Sequence, residues 1–132
     1  MCDCEQKNGR LKSIEESIMT LGENFETEIN KKYQLEQSTD FIETELKKLE
    51  NNETERINNE KDPETGKAKY SNQQQRDIAL FNALLENTGY IELKDKKTDL
   101  INKIKKSNNE LEIMSKKLRI AEMRISIEQM RR

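Results

Sequence analysis

The sequence predicts an all-α chain: an elongated antiparallel helical hairpin of coiled-coil type, with a short third helix near its tip. Three observations predict it. Apolar residues recur at alternating steps of three and four over two long stretches, the spacing that lays one stripe along a helix. One proline and four glycines leave few breaks in 132 residues. Hydrophobic residues make up 32% and charged residues 38%, against averages of about 45–50% and about 25% in globular domains. That mixture cannot fill a thick core, but it can supply narrow helical seams.

Residues 1–9 are expected to be disordered, with Gly9 closing them, and residues 10–132 to form one helical domain. The first helix is expected over about residues 10–58. Leu11, Ile14, Ile18, Leu21 and Phe25 follow one another at steps of 3, 4, 3 and 4. Ile29 and Tyr33 then follow at steps of 4 and 4, a stutter that would relax the supercoil. The heptad resumes in a new phase at Leu35, Ile42, Leu46 and Leu49. Gly22, inside the helix, costs roughly 1 kcal/mol relative to Ala. The pattern fades through Asn51-Asn52 and Asn58-Asn59, with Ile57 its last apolar residue.

A loop is expected over 59–70, because Asp62-Pro63 followed by Gly66 is turn chemistry. Ser71 with Gln74 three residues on has the form of a capping box, which starts a second helix over 71–88 through Ile78, Phe81, Leu84 and Leu85. Gly89 is expected at the left-handed position that ends it, with Tyr90 packed back on Leu85. The third helix, over 90–131, carries an a/d seam. Ile104, Leu111, Leu118 and Ile125 form one row and Leu93, Leu100, Ser107, Met114 and Ala121 the other. Lys97 and Ser107 are polar positions on this seam, which can fix register at a cost in stability. The second helix either folds back or continues the third through a kink.

Charge is unevenly distributed. Residues 1–60 carry 8 Lys/Arg and 15 Asp/Glu, whereas residues 94–132 carry 12 and 6. An acidic first helix and a basic last helix attract each other, which favours antiparallel pairing within the chain. The same surplus offers a basic face to nucleic acid or to an acidic protein. Lys105, Lys106, Lys116, Lys117 and Arg119 are the candidate contacts on the last helix. In the loop region Lys67, Lys69 and Arg76 could hold an anion near a helix N-terminus. Interspersed acids and the scarcity of aromatic residues limit any such binding to a sequence-independent, salt-sensitive kind.

The residue inventory speaks against enzymatic chemistry. There is no histidine, so the commonest general base and metal ligand is missing. Gly66-Lys67 lacks the glycine and hydroxyl that a phosphate loop needs around it. The carboxylate pairs Glu15/Glu16 and Glu43/Glu45 have the density of solvated helix faces. Asp62, Glu64 and Asp77 lack the register of a calcium loop. Cys2 and Cys4, without histidine or further cysteines, are a poor zinc site and are expected as free thiols. No metal and no cofactor are expected. No apolar stretch of about 18–20 residues exists to span a membrane, and no secretory segment follows the first residues, so a cytoplasmic location is expected.

The feature that most suggests function is a second apolar stripe on the last helix. Ile113, Ile120 and Ile127 recur every seven residues, with Met123 and Met130 beside them. These fall at heptad positions c and f, roughly opposite the a/d seam. A stripe there needs a partner of its own, and its methionines suit an adaptable contact. The expectation is a homo-oligomer, or a protein partner, meeting these five residues, with no membrane involved.

The segment Asp62-Pro63-Glu64-Thr65-Gly66-Lys67-Ala68-Lys69-Tyr70-Ser71-Asn72, then Arg76, followed by a charged coiled coil, resembles small coiled-coil accessory proteins of phages and prophages of low-GC bacteria. Thirteen asparagines, with abundant Lys, Glu and Ile, fit an AT-rich genome of that kind. The resemblance covers about 20 residues and implies a non-enzymatic accessory or inhibitor protein in a bacterial host. Such a protein would bind a nucleic-acid-processing complex: a nuclease, defence or recombination machine. Two other functions fit the residues: a scaffold coiled coil that mediates oligomerisation, and sequence-independent DNA binding through the last helix.

Overall fold

A computed structural model describes residues 3–131, with side chains from residue 9 onward. The fold is all-α, with three helices among the described residues, in order: α1 (Asp3–Asn59), α2 (Gln73–Glu86) and α3 (Thr88–Met130). α1 begins at Asp3, where disorder to residue 9 is expected. Cys2, expected as a free thiol, lies outside the described residues, as does the side chain of Cys4.

The chain divides into two compact units, one formed by Met1–Leu35 with Lys103–Arg132 and the other by Glu36–Asn102. A single domain is expected from the sequence. Long paired helices, however, touch only what lies beside them, so contacts cluster locally along the chain.

In the first unit the two helical segments run antiparallel, Arg10 meeting Glu128 and Glu28 meeting Ser107. Leu11 and Ala121 are buried there, and Ile104, Leu111, Met114, Leu118 and Ile125 are partly covered. The a/d seam of α3 is thus where its sequence places it. The α1 seam is not. Ile29 and Tyr33 are exposed, at 44% and 59%. The covered positions after Phe25 are Glu28, Lys32 and Leu35, at steps of 3, 4 and 3. The heptad therefore runs on without a stutter. Two of its positions are polar, and stepping between apolar residues alone leaves the seam there.

In the second unit α1 and α3 are again antiparallel, with Glu43 on Lys97 and Glu50 on Tyr90. Thr39, Ile42, Leu46 and Ile57 are buried. α2 lies against the end of α1, its Arg76 and Leu80 lining a cleft with Thr54 and Ile57. The loop before α2 is a tight hairpin turn. Lys61 and Ala68 form an antiparallel bridge, Gly66 N donates to Asp62 O at 2.8 Å, and Asp62 N donates to Lys67 O at 2.8 Å.

Gly66 has φ +67° and is the one left-handed residue among those described. No atom lies within 4 Å of a Cβ built there, so replacement by Ala meets only conformational cost. Gly66→Ala should lower stability by roughly 1–2 kcal/mol. Gly22 is helical with equal open space, so Gly22→Ala should raise it by about 1 kcal/mol. Denaturant titration of the two variants should give shifts of opposite sign.

Two helix ends differ from expectation. The N-cap of α2 is Asn72, one residue after Ser71; its side chain accepts from Gln75 N at 2.8 Å. Gln75 in turn accepts from Ser71 N at 3.0 Å, so the return bond of a capping box goes here to the residue before the cap. Asn and Ser cap about equally well, so composition alone does not choose between them. At the other end Gly89 is not left-handed but sits inside α3. The break is Asn87, with ψ 104°. Its N–H donates to Leu84 O at 3.2 Å, and its Oδ1 accepts from Tyr90 N at 3.0 Å. One asparagine thereby ends α2 and caps α3, and no glycine turn is required.

Candidate docking surfaces

The second stripe of α3 lies on the first unit. With its seam side taken by α1, the helix turns Ile113, Ile120, Met123, Ile127 and Met130 outward. They are 48%, 52%, 58%, 49% and 85% exposed. The geometry follows from the heptad: positions c and f stand on the side away from a and d. All five predicted residues are brought onto one accessible line.

The basic candidates of α3 are also exposed. Lys116 Nζ lies 3.5 Å from Glu112 Oε1 within the helix. Lys106 lines a cleft of about 500 Å³ with Lys31 and Lys103, but Glu28 and Glu110 line it too. A phosphate groove would carry one sign, and this cleft carries both. Lys105, Lys117 and Arg119 are exposed beside other basic residues, with acids interspersed along the helix.

The loop cations are engaged within the fold. Lys69 Nζ is 3.2 Å from Glu60 Oε1 and 5.5 Å from the centre of the Tyr70 ring. The hydrogen bond to Glu60 and its charge hold the Lys69 amine above its ordinary pKa. Arg76 donates to Tyr70 O at 3.5 Å and to Gln73 Oε1 at 3.3 Å. Arg76 ties the loop to α2, Lys69 ties the two arms of the loop to each other, and Lys67 stands exposed beside them.

Polar groups on the seam are partnered across it. Ser107 is 2% exposed, and its hydroxyl donates to Glu28 Oε1 at 2.7 Å. Tyr90 donates to Glu50 Oε1 at 3.0 Å; burial, then that bond, push its phenol above the usual value. Glu128 is buried between Arg131, at 3.0 Å, and Arg10, at 3.7 Å.

One apolar surface was not singled out from the sequence. Ile78, Phe81 and Leu85 of α2 and Ile91 of α3 are exposed at the Asn87 break. Beside them a cleft of about 350 Å³ is lined by Phe81, Leu84, Leu85, Tyr90, Ile91, Lys94 and Asp95. The signal was present in the steps of three and four from Ile78 to Phe81 to Leu85. The same helix also holds Ala79, Leu80, Ala83 and Leu84, which are partly covered, so the sequence has two apolar sides and does not rank them.

Among the described residues no three acidic, cysteine or histidine side chains gather as a metal site would require, and no helix is long and apolar enough to cross a membrane. No protein-family model, no curated protein and no solved structure matches the chain.

Proposed function

We propose that this chain is a non-catalytic protein-interaction module that meets its partner through the outer stripe of α3. One observation carries the reading: Ile113, Ile120, Met123, Ile127 and Met130 stay exposed after the seam has been filled by α1. Burying apolar side chains yields about 25 cal/mol per Å², so a straight row of them is a standing source of affinity. Its methionines can repack against more than one shape. The resemblance around the Asp62–Asn72 loop adds the class of partner: a nucleic-acid-processing complex in the cytoplasm of a bacterial host, with this chain as a phage-type accessory or inhibitor.

The test uses Ile120→Asp with Ile127→Asp in the full chain. Both side chains face outward, so circular dichroism should show unchanged helicity. Capture of the partner from host cells should fall at least tenfold, as expected when two contacts of more than about 1 kcal/mol each are removed. A collapse of helicity would mean the stripe is core, and undiminished capture would move the interface elsewhere.

A further inference from the structure

The outer stripe of α3 is a second coiled-coil seam. Including Lys116, its positions are Ile113, Lys116, Ile120, Met123, Ile127 and Met130, at steps of 3, 4, 3, 4 and 3. This spacing fits a helix, since knobs at such steps enter the holes of a facing helix. Side chains beside a seam select the partner by charge. Here they are Lys117, Arg124 and Arg131 on one side, and Glu112, Arg119 and Ser126 on the other. Residues 113–131 carry five Lys/Arg and two Asp/Glu. Two such stripes facing each other would oppose like charges, which is destabilising. The stripe therefore calls for an acidic helix.

The chain contains one. Residues 13–30 of α1 carry five Asp/Glu and no Lys/Arg. Its outer side bears Met19 and Tyr33 exposed at 66% and 59%, with exposed Glu16, Glu23 and Glu26 among them, and Ile29, exposed at 44%, stands between that side and the seam. From Met19 to Tyr33 is 14 residues, as from Ile113 to Ile127, about 21 Å of helix in each case. Within one copy these faces point away from each other and cannot meet. We infer that the stripe of one copy docks on the acidic outer face of α1 in a second copy. The contact repeats outward the same pairing of basic α3 with acidic α1 that closes the first unit. Because the two surfaces differ, it is head-to-tail, and growth continues until a ring closes or the ends stay open. This inference rests on the reading of the stripe as an interface and names what occupies it.

Charge exchange on exposed positions tests it without touching the inner seam. One full-length variant carries Lys116→Glu and Arg119→Glu, the other Glu16→Lys, Glu23→Lys and Glu26→Lys. In sedimentation velocity the unaltered chain should exceed monomer mass increasingly with concentration, and less so at high salt. Each variant alone should remain monomeric, because its two faces now share a sign. An equimolar mixture should associate as the unaltered chain does, because every contact again joins opposite charges. An unaltered chain that is monomeric at every concentration overturns the inference. So does association of the Glu16/Glu23/Glu26 variant at the unaltered level, which would mean that stripe meets stripe. If the unaltered chain is monomeric yet Ile120→Asp with Ile127→Asp abolishes capture of a cellular partner, the interface reading stands and only the second copy falls.

Discussion

Replacing Leu46 by Ala should destabilise the second unit by about 2–4 kcal/mol, whereas replacing Phe41 by Ala should change it by less than about 0.5 kcal/mol. Leu46 is 4% exposed and Phe41 is 65% exposed, five positions apart on the same helix. Removing a buried leucine loses its transfer free energy and leaves a cavity that neighbours fill only in part. The expected cost falls short of the upper limit for globular cores, about 5 kcal/mol, because a seam between helices can close more readily than a core enclosed on all sides. Phenylalanine is the larger apolar group, so a ranking by hydrophobicity would reverse the order. Denaturant unfolding followed by circular dichroism checks both variants. Equal effects would show that Phe41 is covered in solution and would place a further contact on that side of α1.

The comparison of Leu46 with Phe41 bears on what the sequence makes legible. In α3 every seam position from Leu93 to Ile125 could be read in advance, because only Lys97 and Ser107 interrupt an apolar row. In α1 the seam passes through Glu28, Lys32 and Thr39, and the apolar Ile29 and Tyr33 sit one position to the side. A step count that accepts only apolar residues must follow the wrong pair. The partner helix resolves the ambiguity, since Ser107 supplies the hydroxyl that makes Glu28 tolerable on the seam. The outer stripe was legible for the same reason as the inner one, being a row of seven-residue repeats. The helix ends were less so: Ser71, Asn72, Asn87 and Gly89 are all competent terminators, and the choice among them depends on which backbone groups the fold leaves unpaired.

The Glu28–Ser107 pair should show that polarity on the seam lowers stability and raises specificity. Ser107→Ala should cost about 1–2 kcal/mol, because a bond to a charged acceptor is lost while Glu28, only partly covered, recovers water. Glu28→Leu combined with Ser107→Leu should do the opposite and stabilise the chain by roughly 1–3 kcal/mol, since two apolar side chains then meet where a partly covered carboxylate stood on the seam. The price of that gain is register. An apolar pair packs as well after a shift of one heptad, whereas the hydroxyl reaches the carboxylate in a single alignment. Spin labels at Lys31 and Lys106, which line one cleft across the seam, report that alignment once Cys2 and Cys4 are replaced by Ser. The parent should give one narrow distance and the double-leucine variant a broader or second one. A stabilised variant that keeps the single distance would assign register to the charged contacts Arg10–Glu128 and Glu43–Lys97, each within its own unit. A destabilised variant would show that the Glu28–Ser107 bond contributes more than the burial that replaces it.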